Sequence, residues 1–447
     1  MGAGTIHLAL SHHGWPRAWS DPQNAGRFEA GTFHTNALRD NVPTMRRSLV
    51  LLFAVASVAA AQQIVQFKEQ IVDANMTGGY AVGVIDINHD GKPDIVGISQ
   101  QVKDLVWYEN PSWTPHLIAK DLPGLVNLAF NDVDHDGIPE IVVEYSFSMQ
   151  PAKSEGNVVL LSHQGDPTGL WKVNKVDAIT TSHHIAWADL EGTGQKLLIN
   201  APLISPNQVS PKYEGKVPVY FYRVPKDWSG PWKRELLTDQ LGGVTHRVRV
   251  VKWDGDSKRD QLLIAGFDGI TLFSATGAGA NLKFSSKLIN PGDQVERANA
   301  PGTAYSIGTG DVKIGHLRKQ RFLITNEPWH GNEVVVYLDD HKGGWTRQVI
   351  FTELTEGHEI CIGDLNGDGL DDIVAGDRSR GKVSTSHVFY ASDATGTKWH
   401  HEELDHLGMS ASGCEIADIN GDGRPDIIMI GGATHNIKVY ENLGVAK

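Results

Sequence analysis

Two cysteines, Cys361 and Cys414, are all that 447 residues contain, so no disulfide framework can carry the fold. They stand at different positions relative to the repeats described below, and we expect two buried free thiols. No apolar run reaches the ~20 residues that a spanning helix needs. There is no Lys/Arg stripe, and the formal net charge is -13, so a nucleic-acid partner is excluded on electrostatic grounds. Nucleophile motifs, phosphate loops and dinucleotide fingerprints are also missing from convincing contexts, which disfavours serine acyl, phosphoryl and hydride chemistry.

What is abundant is glycine, 48 residues, beside 40% hydrophobic residues. That balance suits an all-β chain of many short strands and turns. Residues 1–44 show no periodicity and read as a non-native, disordered upstream extension. Met45-Arg46-Arg47-Ser48, the apolar run from Leu49 to Ala60 and the small residues before Gln62 have the three regions of a signal peptide over 45–61. A secreted or periplasmic protein is expected, with residues 62–447 as its folded part.

One acidic loop recurs along that part. Intact copies are Asp86-Ile-Asn88-His-Asp90-Gly91-Lys-Pro-Asp94, Asp132-Val-Asp134-His-Asp136-Gly137-Ile-Pro-Glu140, Asp364-Leu-Asn366-Gly-Asp368-Gly369-Leu-Asp-Asp372 and Asp418-Ile-Asn420-Gly-Asp422-Gly423-Arg-Pro-Asp426. Degenerate copies are anchored at Asp189, Lys252 and Asp311. Each loop is followed by two apolar runs and usually by a fourth strand opening on an aromatic, such as Trp113, Trp171 or Trp399. The last copy stops after its third strand, and an orphan strand near Phe67–Val72 precedes the first. If the orphan completes the last blade, the sheet edges close and seven four-stranded blades result. The pattern resembles the FG-GAP/VCBS repeat family over about residues 64–447, which implies a seven-bladed β-propeller and leaves function open.

Calcium takes six to eight oxygen ligands, and an Asp-x-Asp/Asn-x-Asp-Gly loop gathers them on one turn. Asp86, Asn88, Asp90 and Asp94, with their counterparts in the second, sixth and seventh copies, are the expected ligands of up to four structural Ca2+ ions. The competing explanation is a set of ordinary Asp/Asn/Gly turns. The three degenerate loops lack the carboxylates and are expected to bind no metal.

Counting back from the first loop residue aligns the inner strands. Two and four residues before it the side chains are mostly large and apolar; one and three before it they are usually small. The alternation fails farther out. Six residues before the loop stand Tyr80, Val126, His183, His246, Tyr305, His358 and Ser412. Five before it stand Ala81, Asn127, His184, Arg247, Ser306, Glu359 and Gly413. Loops between second and third strands add Trp329, His330, Arg378 and His435 at the same end. Polar groups that break a consistent pattern mark a functional mouth, or else polar capping of the channel.

Histidine, tyrosine and arginine suit proton abstraction beside a carbonyl followed by β-elimination. His183, His246, His358, Tyr80, Tyr305 and Arg247 are the catalytic candidates, with Zn2+ or another divalent ion as a candidate at the histidines. His184, Glu359, Asn127, His330, Trp329, Arg378 and His435 are the substrate-binding candidates. The repeat plus the His/Tyr mouth is similar to the propeller of fungal aldos-2-ulose dehydratases and, more distantly, to propeller polysaccharide lyases. The resemblance implies an exported carbon-oxygen lyase acting on an oxidised sugar or uronate. The alternative is a non-catalytic calcium-stabilised propeller that binds carbohydrate or protein. A monomer is expected.

Overall fold

The computed structural model describes residues 63–446 apart from 229, 256–257, 299–304 and 379–383. The expected extension and signal peptide, 1–44 and 45–61, lie outside the described residues. The architecture is a seven-bladed β-propeller, with seven four-stranded antiparallel sheets in a ring. No α-helix occurs among the described residues. Blades 1 to 6 take residues 79–119, 127–178, 182–242, 245–290, 313–351 and 357–405. Blade 7 joins Ala411–Ala417, Asp426–Gly431 and Asn436–Val445 to Val65–Asp73, which pairs antiparallel with the last of these.

Most second strands are buried throughout, as in Asp94–Ser99 and Gln261–Gly266. The core lies between neighbouring sheets, where side chains such as Trp107, Phe322 and Phe389 are buried; each removes about 2–3 kcal/mol worth of apolar surface from water. Third-strand tyrosines pack there too, and their hydroxyls need a partner once desolvated. Tyr222 donates to Asp177 (2.7 Å), Tyr337 to Glu327 (2.6 Å) and Tyr440 to Asp405 (2.6 Å).

The acidic loops form the hairpins between first and second strands. Their fourth residue sits in the left-handed region, as His89 (φ 58°), His135 (φ 63°), Gly367 and Gly421 (both φ 76°). Because first-to-second and third-to-fourth turns share one end of each blade, the acidic loops define a loop face, and the remaining connections define the mouth face.

Two expectations need correction. Cys361 and Cys414 form a disulfide, with Cα atoms 5.9 Å apart. Counting from the loops places them one residue out of step, yet they lie on neighbouring inner strands, Gly357–Gly363 and Ala411–Ala417, at a Cα separation within bridging range. The second correction concerns blade 5. Its innermost strand is Lys313–Leu317, closed by a tight turn onto Gln320, and not the stretch ending at Asp311. Tyr305–Gly308 instead pairs with Asp293–Ala298 in a two-stranded insertion before the blade. Tyr305 and Ser306 therefore leave the inner-strand rows, and Lys313 takes the place of Ser306.

Candidate functional site

The mouth is a cavity of about 640 Å3. Its polar floor comes from a recurrent backbone irregularity. Inner strands of blades 1, 3, 4, 6 and 7 each carry a register shift near their mouth end: between Gly79 and Ala81, Ser182 and His184, Thr245 and Arg247, Gly357 and Ile360, and Ala411 and Gly413. The extra residues are Tyr80, His183, His246, His358 with Glu359, and Ser412. A β-bulge re-aims its extra side chain, and here four of the five blades turn a Tyr or His onto the floor, where the residues touch one another.

Tyr80 Oη lies 3.1 Å from His183 Nε2 and 3.3 Å from His358 Nε2. His330, from the connection between second and third strands of blade 5, places its Nε2 3.1 Å from His246 Nε2. The Nδ1 positions of His246 and His358 face the carbonyl oxygens of Gly310 and Ser412. With N–H there, each imidazole donates outward and turns an Nε2 lone pair inward, the outer-shell arrangement of metal-ligating histidines. One ligand nitrogen from each of His246, His330 and His358 lies within 4.8 Å of the others. Two nitrogens about 2.0–2.1 Å from a tetrahedral ion stand roughly 3.3 Å apart, close to the His246–His330 spacing. The three buried imidazoles thus fit a divalent ion of the zinc type.

Burial keeps all of these rings neutral. It pushes His246, His330 and His358 well below the usual histidine range and His183 down to about 3, with the Arg247 and Arg378 guanidiniums adding to the effect on His183 and His358. His183 Nδ1 is buried without a hydrogen-bond partner. Arg378 Nη2 lies 3.4 Å from His330 Nδ1 and donates to the buried Glu356. Trp329 stacks on His330 with ring centroids 4.4 Å apart, and Phe147 and Tyr213 supply further wall.

The structure separates the remaining sequence candidates. Tyr305 reaches the cavity wall, but from the insertion, with its hydroxyl 3.1 Å from Glu296. His435 does not line the cavity; its Nδ1 accepts from the Gly78 backbone N–H at 3.1 Å. Arg247, His184, Glu359 and Asn127 point down the axis into a second cavity of about 320 Å3. There Arg249 binds Asp311 (2.9 Å) and Glu359 (2.8 Å), and Arg247 lies 3.5 Å from Asp311. Strand alternation explains the split: positions five and three before the loop face the channel, whereas the bulged position faces the mouth. Arg247 is thus away from the mouth, and Arg378 is the guanidinium beside the histidines.

Sequence reasoning missed Glu356, Phe147 and Tyr213. Glu356 stands only two residues before His358, and extending the aligned rows by that distance exposes it. The other two come from connections whose lengths differ between blades, where no repeat register exists.

On the loop face, Asp86 accepts the backbone N–H groups of Asp90 (3.1 Å) and Gly91 (2.9 Å), and the pattern recurs at Asp132, Asp364 and Asp418. Oxygens of Asp132, Asp134 and Asp136 lie within 4.8 Å of one another. The last loop residues, Asp94, Glu140, Asp372 and Asp426, are fully buried. Desolvation raises their pKa values, to about 6 for Asp94 and about 7 for Glu140. The loops at Asp189 and Lys252 and the blade 5 turn carry no such carboxylate set.

Residues 155–340 match the family described as aldos-2-ulose dehydratase, beta-propeller domain, and residues 86–143 and 364–429 match FG-GAP-like repeats. The repeat matches coincide with the four intact loops. An aldos-2-ulose dehydratase of Phanerodontia chrysosporium is 24% identical over 346 residues, covering 69% of this chain and 37% of that protein. The chain thus spans well under half the length of its curated relative.

Proposed function

We propose that the mouth of this seven-bladed propeller, which is similar over residues 155–340 to the aldos-2-ulose dehydratase propeller domain and over its intact loops to FG-GAP-like repeats, is a sugar dehydratase site that eliminates water from an oxidised sugar. The observation that carries the reading is the buried convergence of His246, His330 and His358 beside the Tyr80–His183 pair at the cavity floor. The three imidazoles are the holders of a divalent ion such as Zn2+. When bound, such an ion supplies Lewis acidity to a ketone oxygen.

The chain's own groups do the rest. Trp329 and Tyr213 bound the space for a sugar ring, and Arg378, oriented by Glu356, is placed to hold a sugar oxygen. The Tyr80–His183 pair takes the proton from the carbon next to the carbonyl. The C–H electron pair becomes the new C=C bond, the bond from the β-carbon to its hydroxyl oxygen breaks, and that oxygen leaves as water with a proton returned by the pair.

Calcium in the four intact loops completes the proposal as a structural element. The Cys361–Cys414 disulfide supports an oxidising, exported location. The test is turnover of a panel of keto-sugars and uronates, followed by ultraviolet absorbance of the unsaturated product. His246→Ala and His358→Ala are expected to abolish turnover together with bound transition metal; unchanged rates would remove the assignment.

A further inference from the structure

We propose a second binding site, for an acidic oligosaccharide, in a cleft of about 750 Å3 on the loop face between blades 4 and 5. It is remote in the fold from the histidine mouth and does not depend on the chemistry there. The volume lies within the ~300–1,000 Å3 range of small-ligand pockets.

The cleft occurs where the acidic loops have degenerated. Lys252 stands in place of a first loop Asp, and the blade 5 turn carries Lys319. Five permanent cations line the space, Arg249, Lys252, Lys313, Lys319 and Arg321, against one carboxylate, Asp339. Some are already neutralised. Arg249 is held by Asp311 and Glu359, and Lys252 Nζ lies 2.8 Å from Asp260. Lys313 faces the channel carboxylates Asp311, Glu359 and Glu415, whereas Lys319 and Arg321 make no ion pair among the described residues. Arg321 donates to the Trp253 carbonyl (2.6 Å) and stacks on the Trp253 ring at 4.0 Å, which fixes its guanidinium in place.

Two cations, Lys319 and Arg321, gathered without a carboxylate partner on a chain of net charge -13 favour an anion that joins them. The cleft also contains apolar surface from Val250, Ile314 and Ile362, with Val250 36% exposed. Anionic groups alone leave that surface wet. A ligand that fits both carries carboxylates at intervals along rings with apolar C–H faces, which describes an acidic sugar chain.

The experiment is calorimetric titration of the calcium-saturated full chain with trigalacturonate, with maltotriose as its neutral counterpart and tripolyphosphate as a ringless polyanion. Trigalacturonate is expected to bind, at least 10-fold more tightly than either control, and to weaken with added salt. Lys319→Glu and Arg321→Gln are each expected to weaken it about 10-fold or more, whereas His246→Ala leaves it unchanged. Lys319 sits on an exposed hairpin, and Lys319→Ala, checked for an unchanged Tm, serves if the reversed charge disturbs folding. Absence of binding, equal binding of either control, or an affinity that responds to His246→Ala and not to the cleft substitutions overturns the proposal.

Discussion

The two faces of the ring are built by opposite devices. The loop face repeats: four hairpins share one sequence pattern, one left-handed fourth position and one set of carboxylate-to-backbone hydrogen bonds. The mouth face departs from repetition, using bulges to turn single residues inward and connections of unequal length to wall them. Repetition stabilises four of the blades in the same way, whereas chemistry needs different groups converging at one point. A propeller satisfies both demands by assigning them to opposite ends of the same inner strands.

The largest expected effect breaks the comparison in both directions at once. His330→Ala should lower turnover about 1,000-fold or more through loss of an ion-holding group, with little change in Tm. Asp134→Ala should lower Tm while leaving kcat intact. Turnover assays beside thermal melts check the pair, and the assignment of roles to faces is wrong if the two phenotypes exchange. Chelation with EGTA comes next. Each loop that loses an ion held at 100 times its Kd forfeits about 2.7 kcal/mol, so several loops together should lower Tm on the order of 10 °C. Calcium should restore the melt, and a flat melt would leave the loops as plain turns.

The same contrast explains what the sequence made legible. Blade number, the four acidic hairpins and the bulged row are readable because a repeat supplies its own register: His183, His246 and His358 align only when the loops are superposed. Where the repeat decays, the register goes with it. Asp311 looks like a loop anchor, yet blade 5 begins beyond it, so Tyr305 was placed in a strand it does not occupy. Arg247 was read at the right depth but on the wrong side, since one residue of strand separates the mouth from the channel. The Cys361–Cys414 bridge joins two blades, and an alignment of each blade on its own loop does not contain the placement of one blade against the next.

A third effect tests whether the mouth end stores ionisable groups in dry surroundings, as the histidines suggest. Glu144, at the mouth end of blade 2, is fully buried and accepts from Ser182 Oγ at 2.6 Å. Burial raises its carboxyl from the ordinary 4.5 to about 8. The folded state therefore holds a proton that the unfolded chain releases above about 4.5. Its contribution to stability is complete below that pH and is lost as pH rises through about 8. Urea unfolding at pH 5 and pH 9 should show the decline, and Glu144→Gln should flatten it. Equal slopes for both proteins would mean that the carboxyl is solvated.

The smallest effect separates the bulge from the side chain it presents. Tyr80 shares its hydroxyl between His183 and His358, so Tyr80→Phe removes one oxygen and leaves the bulge, the ring and the packing in place. If the hydroxyl takes part in proton transfer, kcat should fall about 10-fold, equivalent to about 1.4 kcal/mol of barrier, with KM and Tm nearly unchanged. The size is modest because His183 remains to accept the proton. Deleting the bulge instead, by removing residue 80, shifts the strand's outer residues to the opposite side of the sheet and should cost both activity and stability. A Tyr80→Phe protein with full activity would reduce the tyrosine to a spacer between imidazoles, and the mouth's chemistry would then rest on its histidines and Arg378.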